Sequence, residues 1–203
     1  MHKSLADSAQ LSFTASFNAD RLLIAAKQLR ADCDAIRVQD VVSFCYAQQL
    51  ATDTLFNATL EDGILQVADT VNLGFALALP THLVVPVIRA AATLSMAELA
   101  MERRRLTDAA LGGTLAPADM QGATSTVSNL GRGRVEAFTP ILNAPEVALL
   151  GVAAIQARPW VGATNTLVVA PVGALSLTVD HRVIDGAPAN AFLSALCERL
   201  EQL

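Results

Sequence analysis

The sequence predicts an α+β protein, a two-layer α/β sandwich in which several helices pack on a mixed β-sheet. Segments 11–17 and 174–179 alternate between apolar and polar residues, which is typical of strands. Segment 187–200 instead carries its apolar residues on one helical face. The order of elements is neither strict strand–helix alternation nor all strand, so a mixed sheet is favoured. The chain has no internal repeat and no Pro/Ser-rich linker, and residues 1–203 are expected to form one domain.

The N-terminal half is predicted to contain two helices and several short strands. A half-buried strand is expected at 11–17. Asp20 is expected to cap a helix that ends near Arg30, and Asp40 lies near the start of a helix that ends near Ala51. Further strands are expected at 55–60, 64–67, 73–79 and 83–88.

The C-terminal half begins with a longer helix, from Ser95 to about Leu111, which should end at Gly112-Gly113 because glycine is favoured where helices stop. Residues 117–120 indicate a single helical turn. A last helix is expected from Ala187, where Pro188 suits the first turn. Strands are expected at 123–128, 147–157 and 166–179.

The composition is unusually apolar, with 53% hydrophobic residues and a mean hydropathy of +0.43. A membrane span needs about 20 mostly apolar residues. The longest apolar stretch, 166–179, is shorter and contains Pro171 and Gly173, and the run 83–88 stops at Arg89. No membrane segment is therefore predicted, and the apolar surplus favours extensive burial between copies of the chain.

Charge and cysteine content exclude several other classes. The net charge of −5 and the lack of a long basic run argue against nucleic acid. The basic cluster 103–105 is explained by a solvated helix face, although a phosphate-bearing ligand could use one of its arginines. Cys33, Cys45 and Cys197 have no metal-ligand spacing and are expected to be buried thiols in a reducing compartment, with no metal site. No cleavable signal is visible, so the cytoplasm is the expected location.

The strongest chemical signal is the segment Asp180-His181-Arg182-Val183-Ile184-Asp185-Gly186. It should form a turn between a strand and a helix, which would present the His181 imidazole to a pocket. Neutral imidazole is a suitable base for a thiol or a hydroxyl near neutral pH, and Asp185 could hold the surroundings in place. Taken alone, the same segment could be a solvated turn with a structural carboxylate.

A second signal is the segment 122–131, a strand of small and hydroxyl-bearing residues that runs into a glycine turn. Small side chains leave room for a ligand, and a hydroxyl at the strand end could donate to a developing oxyanion. A buried strand followed by a tight turn is the alternative. The sequence Gly131-Arg132-Gly133-Arg134 lacks the Lys-Ser/Thr of a P-loop and is not interpreted as one.

Together these segments resemble the catalytic cores of the dihydrolipoamide acyltransferases of 2-oxo acid dehydrogenase complexes, which are distantly similar to chloramphenicol acetyltransferase. The resemblance depends on 180–186 and on Ser128-Asn129-Leu130-Gly131. Segments 83–89, 115–122 and 138–148 support it, and it covers nearly the whole chain. It implies a chloramphenicol acetyltransferase-like fold.

The resemblance also implies the reaction, an acyl transfer between dihydrolipoamide and coenzyme A. By match of position, His181 would be the general base that deprotonates the attacking thiol. Ser128 would donate a hydrogen bond to the oxyanion of the tetrahedral intermediate, and Asp185 would support the site by local hydrogen bonds and charge. Members of this family form trimers whose active sites lie between subunits, with the histidine and the serine from adjacent chains.

Three residues in the glycine turn are candidate contacts to coenzyme A. Arg132 and Arg134 stand where the family often has small or apolar residues, and either could contact a phosphate or alter access. Asn129 precedes them and adjoins the predicted oxyanion group.

The expected partners follow from the same resemblance. The lysines, Lys3 and Lys27, do not lie in an Asp-Lys-Ala hairpin, so neither a lipoyl domain nor a peripheral-subunit-binding domain is expected in the chain. The lipoyl group would come from another domain or chain, alongside decarboxylase and dihydrolipoamide dehydrogenase components. The chain begins at what resembles the tail of the family's first helix, so the arm that usually wraps a neighbouring subunit is expected to be missing or shortened. Because 198–203 lacks the apolar extension that joins trimers into larger cores, the assembly is expected to stop at the trimer.

The leading interpretation is an acetyltransferase of a pyruvate or acetoin system, a preference that depends on the resemblance of 138–141 to that branch. One alternative is a catalytically silent trimeric core or assembly subunit of such a complex. Another is a coenzyme A-dependent acyltransferase that acts on a different acceptor.

Overall fold

A computed structural model describes residues 2–162 and 164–203. The helices are α1 His2–Asp7, α2 Asp20–Asp32, α3 Val38–Thr52, α4 Met96–Leu111 and α5 Gly186–Glu201. The strands are β1 Gln10–Asn18, β2 Ala58–Glu61, β3 Ile64–Val67, β4 Leu73–Phe75, β5 Leu77–Ala78, β6 Leu83–Val84, β7 Val87–Ile88, β8 Ser125–Asn129, β9 Ala148–Val152, β10 Gln156–Val161 and β11 Leu167–Asp180. Short 3₁₀ turns lie at Thr54–Phe56, Ala91–Thr93 and Pro117–Met120. Across these described ranges, none of the helices combines the length and the apolar character that crossing a bilayer requires.

The main sheet has the strand order β1-β11-β9-β8-β4-β7, and β10 pairs with β11 outside that path. The pairs β4–β8 and β8–β9 are parallel, whereas the other pairs are antiparallel. Two small hairpins, β2–β3 and β5–β6, lie apart from the main sheet. The predicted mixed sheet is therefore confirmed.

One face of the sheet is apolar and carries the helix layer. The register aligns Phe13, Leu177, Leu150, Val127 and Phe75 across five neighbouring strands, and directly paired residues point to the same side. These side chains belong to one hydrophobic cluster with the inner residues of the four longer helices. Inside that layer the ring of α5 residue Phe192 stacks on Phe56 and meets the edge of Tyr46, with centroids 4.1 and 5.8 Å away.

The opposite face is lined mostly by small and hydroxyl-bearing residues, with Leu149 between Thr178 and Thr126. We call it the hydroxyl face: Ser12, Thr14, Ser176, Thr178, Gly151, Thr126 and Ser128. Segment 138–146 crosses it. Thr178 Oγ1 donates to the Pro140 carbonyl at 2.7 Å, and the Phe138 ring lies directly over Gly151. Small residues are needed here because the crossing segment approaches the sheet backbone closely.

The first part of β11 extends beyond the body of the sheet. Residues 167–171 pair with β10 but not with β1 or β9. This two-stranded extension, the β10–β11 arm, leaves apolar side chains in solvent, with Val169 80% and Leu167 74% exposed. A large exposed apolar surface of this kind is typical of a protein interface.

Several sequence predictions need correction. The strand expected at 147–157 is two strands, because Ala154 leaves the sheet and its N–H donates to the Val135 carbonyl at 2.9 Å. Asp20 does not cap α2: Ala19 occupies the cap position, and the Asp20 N–H donates to Asn18 Oδ1 at 2.9 Å. The predicted start of α4 at Ser95 is confirmed by a reciprocal capping box with Glu98.

The basic cluster 103–105 is not simply a solvated helix face. Arg104 and Arg105 pair with carboxylates at the surface, but Arg103 forms an ion pair with Asp40, whose side chain is fully buried. Burial raises the pKa of Asp40, although hydrogen bonds from Arg103 and from the Arg37 backbone oppose the rise. This pair joins α3 to α4 and could not be inferred from helical spacing alone.

The cysteine prediction is confirmed for two of the three thiols. Cys45 and Cys197 are buried, whereas Cys33 is half-buried at the end of α2. Burial raises the pKa of Cys45 to about 11 and that of Cys197 to about 12. Both thiols are therefore protonated and unreactive at neutral pH.

We expect Gly151→Ala to destabilise the fold by about 1–3 kcal/mol, because the added methyl would overpack the hydroxyl face. A Cβ at this position would lie 2.9 Å from Phe138 Cζ and 3.1 Å from Pro140 Cγ. Urea unfolding followed by circular dichroism measures the loss. Gly133→Ala is the matched control, because its Cβ would meet nothing closer than 3.7 Å. Equal unfolding free energies for the two variants would contradict this close packing.

Candidate active site

His181 lies in the turn between β11 and α5, and backbone hydrogen bonds hold this turn on both sides. The His181 N–H donates to the Ala9 carbonyl at 2.7 Å, and the Asp180 N–H donates to the Val147 carbonyl at 2.9 Å. The N–H groups of Val183 and Ile184 both donate to the Asp180 carbonyl. The predicted strand-to-helix turn is therefore present, and it is anchored to neighbouring segments.

The orientation of the imidazole fixes its tautomer. Nδ1 lies 3.1 Å from the Ile184 carbonyl oxygen. A carbonyl can only accept a hydrogen bond, so the neutral ring carries its proton on Nδ1. Nε2 then has a free lone pair. The side chain is 46% exposed, so this nitrogen can act as a base toward a group that approaches from outside the chain.

The Asp185 side chain contributes charge to this turn but forms no hydrogen bond with the described residues. Its Oδ1 lies 3.7 Å from His181 Nδ1, beyond hydrogen-bond distance, and the side chain is 84% exposed. Asp185 occupies the N-cap position of α5, yet its side chain caps no backbone N–H. The local hydrogen bonds expected of Asp185 are absent among the described residues.

The residues on either side of His181 form a clamp that sequence reasoning missed. Asp180 is buried and accepts hydrogen bonds from the Arg182 backbone N–H at 3.1 Å and from its guanidinium at 2.5–3.1 Å. Burial alone would raise the pKa of Asp180, but the hydrogen bonds from Arg182 outweigh it and hold the pKa below its usual value. The Asp-x-Arg spacing around the histidine was the available signal.

Ser128 lies near the end of β8 on the hydroxyl face, directly beside Gly151 of β9. Its side chain is half-buried, and its hydroxyl forms no hydrogen bond with the described residues. The hydroxyl is therefore free to donate to an incoming ligand, as the oxyanion role requires.

Asn129 is committed to internal contacts. Its Nδ2 donates to Gln39 Oε1 at 3.0 Å, and its Oδ1 accepts from the Gly131 N–H at 2.7 Å. The side chain therefore ties the end of β8 to the start of α3 and shapes the glycine turn. Gln39 is a further residue that sequence reasoning missed, because the contact joins segments 90 positions apart.

A basic cavity of about 520 Å³ opens beside this turn. Arg132 lines it together with Arg37, Arg103 and Arg104 from α3 and α4 and their flanks. Arg103 is occupied by Asp40, but neither Arg37 nor Arg132 forms an ion pair with a carboxylate of the described residues. Arg134 is exposed and does not line this cavity.

The fold of one chain does not bring His181 and Ser128 together. Ser128 is level with Gly151 and Ser176, whereas His181 lies five residues beyond Ser176 along β11. Strand geometry places them about 16 Å apart along the strands and about 10 Å apart across them, or about 19 Å in all. A single copy therefore contains two separate halves of the predicted site.

The family model described as 2-oxoacid dehydrogenases acyltransferase (catalytic domain) matches residues 1–203. The chain belongs to this acyltransferase family. It is similar to the dihydrolipoyllysine-residue acetyltransferase component of the acetoin cleaving system of Bacillus subtilis, with 38% identity over 207 residues. That match covers all of this chain and 52% of the relative, so the chain spans about half the length of that protein.

Solved structures of the acyltransferase family share the fold. The cubic core of the pyruvate dehydrogenase multienzyme complex superimposes with a TM-score of 0.93 at 33% identity, covering 98% of this chain and 84% of the other. Azotobacter vinelandii dihydrolipoamide acetyltransferase gives 0.93 at 32% identity with the same coverage. Chloramphenicol acetyltransferase gives 0.64 at 15% identity over 96% of this chain and 88% of its own, which shows the fold alone. The predicted family and fold class are therefore confirmed.

We expect Arg182→Ala to lower the unfolding free energy by roughly 1–2 kcal/mol at neutral pH, because it leaves the buried Asp180 carboxylate without its partner. The cost stays below that of a fully buried pair since the guanidinium is half-exposed. Urea unfolding of both proteins measures it.

The difference in unfolding free energy between wild type and Arg182→Ala should depend on pH. The pKa of Asp180 is lowered, so the stabilisation is complete above the ordinary aspartate value of 3.8 and is lost as the pH falls through the lower pKa of the folded protein. Arg182→Lys, which keeps the charge, should lose less. A difference from wild type that stays constant into the acid range would show that Arg182 acts by some other means.

Proposed function

We propose that this domain transfers an acyl group, most favourably acetyl, between dihydrolipoamide and coenzyme A as part of a 2-oxo acid dehydrogenase system of the pyruvate or acetoin type. The observation that carries the proposal is the half-exposed imidazole of His181, whose Nδ1 contacts the Ile184 carbonyl and whose Nε2 has no hydrogen-bond partner among the described residues. Membership of the acyltransferase family and similarity to the acetyltransferase of an acetoin cleaving system support it.

His181 Nε2 would act as the base. A free thiol has a pKa of about 8.5 and is mostly protonated at neutral pH, so a positioned imidazole gains rate by accepting its proton. The resulting thiolate attacks the thioester carbonyl and forms the new carbon–sulfur bond. When the tetrahedral intermediate collapses, the old carbon–sulfur bond breaks and the proton on Nε2 passes to the leaving thiolate, which restores the neutral ring.

Ser128 of an adjacent copy would stabilise the oxyanion between these two steps. Its hydroxyl has no internal partner, and one such donor is typically worth roughly 3–4 kcal/mol of barrier. The separation of about 19 Å within a chain, which follows from strand geometry, supports a site shared between copies and so a homotrimer. Asp185 would add negative charge beside the imidazolium that forms.

The study of the Azotobacter enzyme concerned the catalytic roles of a serine, a histidine and an asparagine. Its histidine and asparagine are four positions apart, as His181 and Asp185 are, and its serine precedes the histidine by 52 positions, against 53 between Ser128 and His181. This agreement supports the assignment of the same two roles here. At the third position Asp185 replaces an amide with a carboxylate.

The basic cavity beside the glycine turn that follows Ser128 is the proposed site for the phosphates of coenzyme A. Arg132 and Arg37 have guanidinium groups that no carboxylate of the described residues occupies, and guanidinium matches phosphate in shape and charge. Arg132 is therefore the proposed contact, and Asn129 positions the turn that carries it. Arg134 does not line this cavity.

The remaining partners and the location follow from the same proposal. The lipoyl group would be supplied by another domain or chain, and the thiamine-dependent decarboxylase and dihydrolipoamide dehydrogenase components would complete the system, in the cytoplasm. Within this proposal, residues 1–203 form a single acyltransferase catalytic domain, and no metal takes part.

Mixing two inactive variants tests the shared site. We expect His181→Ala and Ser128→Ala each to lower the rate of acetyl transfer from acetyl-coenzyme A to dihydrolipoamide by on the order of 10²–10³-fold or more. Co-refolded one to one, the two variants should recover about a quarter of the wild-type sites, because a site is intact where an unmodified His181 meets an unmodified Ser128.

Controls separate the possible outcomes of this experiment. Asp185→Asn should keep most of the activity, because the Azotobacter enzyme has an asparagine at this spacing. A mixture that recovers no activity would place the site within one chain. A His181→Ala variant with the wild-type rate would show that the imidazole is not the base and would favour a catalytically silent core subunit. Faster transfer to another acceptor would favour a different substrate.

We expect Arg132→Ala to raise the KM for acetyl-coenzyme A by on the order of tenfold, because a charge-assisted contact to phosphate is lost. The KM for dihydrolipoamide and kcat should change little. Arg30→Ala, which removes an equal charge from the exposed end of α2, is the control. Equal KM values for Arg132→Ala and wild type would remove this arginine from the coenzyme A site.

A further inference from the structure

A second cavity, of about 490 Å³, lies next to the His181 turn but outside the proposed acyl-transfer site. The Asp180–Arg182 clamp forms one wall of it. The other walls are α1, the β2–β3 hairpin and residues 142–146. Ser128 and His181 do not line it, so the proposed function leaves this cavity unexplained.

The lining of this acidic cavity is strongly negative. Asp7, Glu61, Asp62 and Asp180 face a single guanidinium, that of Arg182, which Asp180 already occupies. The carboxylates of Asp7, Glu61 and Asp62, which we call the rim carboxylates, are therefore available to bind a cation. By itself such a group of acidic residues is common on protein surfaces, and the deciding feature is the residue beneath them.

Glu146 lies at the base of the cavity with one carboxylate oxygen unsatisfied. The residue is 3% exposed, and its Oε1 accepts hydrogen bonds from Thr126 Oγ1 at 2.7 Å and Asn143 Nδ2 at 2.8 Å. Its Oε2 is buried and has no hydrogen-bond partner among the described residues. Burial raises the pKa of Glu146 to about 8, so without a charged partner the carboxyl is largely protonated at neutral pH. Buried polar atoms are nearly always paired, and a cationic donor from outside the chain would both satisfy Oε2 and favour the ionised form.

The occupant that fits is a guanidinium. Several carboxylate oxygens surround the space, and guanidinium offers five N–H donors in a planar arrangement that matches carboxylates. No three His, Cys, Asp or Glu side chains in the described ranges converge closely enough to hold a metal ion. The sequence contains 14 basic residues, of which only Lys3 and Lys27 are lysines, so arginine is the usual cation of this protein.

The proposed function indicates where that guanidinium comes from. Ser128 of one copy must approach His181 of the next, and the Gly131–Arg134 turn follows Ser128 directly. On the receiving copy, Asp180 and Arg182 adjoin His181 and also line the acidic cavity. The turn therefore arrives beside the cavity, and its positive charge complements the negative lining.

Of the two arginines in that turn, Arg134 is the one whose side chain forms no ion pair with the described residues and does not line the basic cavity. Arg132 lines the basic cavity beside the glycine turn, whereas the Arg134 side chain is exposed. Arg134 lies six positions after Ser128, and an extended chain of that length spans at most about 20 Å, less through a turn. Its reach is thus compatible with a cavity beside the neighbouring histidine.

We propose that Arg134 of one copy inserts its guanidinium into the acidic cavity of the adjacent copy, where it donates to Glu146 Oε2 and to the rim carboxylates. The inference depends on the proposed function in one respect, the approach of Ser128 to His181 across two copies. The contact holds the two halves of the site in register without touching the reacting atoms.

Sedimentation equilibrium of the full chain tests the contact. Arg134→Ala should weaken self-association by about tenfold or more, the loss typical of a desolvated charge pair at an interface. Arg21→Ala, which removes the same charge from an exposed position of α2, should not. On the acidic side, Glu146→Gln should weaken association because it replaces the accepting oxygen with a donor. Asp62→Asn should weaken it less, and asparagine tolerates the positive φ of 51° at that position.

The double variant Arg134→Ala/Glu146→Gln decides whether the two residues act together. If they form one contact, the double variant should associate about as well as the weaker single variant. Effects that multiply, or wild-type association of Arg134→Ala, would overturn the proposal. So would a wild-type chain that stays monomeric. Should Glu146→Gln fail to fold, Asp62→Asn combined with Arg134→Ala provides the same cycle.

The activity of the mixed variants and a titration with free arginine distinguish failure of this inference from failure of the proposed function. If the His181→Ala and Ser128→Ala mixture recovers activity while Arg134→Ala associates normally, only this inference fails. If the mixture stays inactive, the proposed shared site fails first. Free arginine titrated into wild type would compete for the cavity and weaken association; tight binding of arginine with unchanged association would identify a small-molecule site instead and overturn the assignment to Arg134.

Discussion

The backbone pairing of β11 is the constraint on which the rest of this structure depends. This strand pairs with β1 on one side and with β9 and β10 on the other, and its last residue leads directly into the His181 turn. A shift of one residue in register would move every side chain to the opposite face. The apolar core beneath the helices and the position of the imidazole are therefore set by the same hydrogen bonds.

The two faces of the sheet differ in composition and in what packs on them. Branched and aromatic side chains on one face pack against the helices, whereas glycine, serine and threonine on the other leave room for segment 138–146. Hydroxyl groups suit this second face because they satisfy carbonyl and carboxylate oxygens at close range, as Thr178 and Thr126 do. As a result, a single chain leaves part of the hydroxyl face exposed, including Thr14.

Patterns that depend on neighbouring residues were readable from the sequence, whereas contacts between distant segments were not. Alternation predicted β1 and most of β11, and the predicted start of α4 at Ser95 agrees with the structure. The turn that carries His181 followed from the strand before it and the helix after it. The Arg103–Asp40 pair, the break between β9 and β10 and the unsatisfied oxygen of Glu146 all depend on residues far away in the chain. Local propensity contains no information about such partners.

The exposed β10–β11 arm makes a newly synthesised chain prone to aggregation. Its apolar side chains extend into water when the chain is alone, and a strand pair with exposed valine and leucine is a template for aggregation. Copies in which this surface stays uncovered would be targets for chaperones and proteases, which recognise exposed apolar segments.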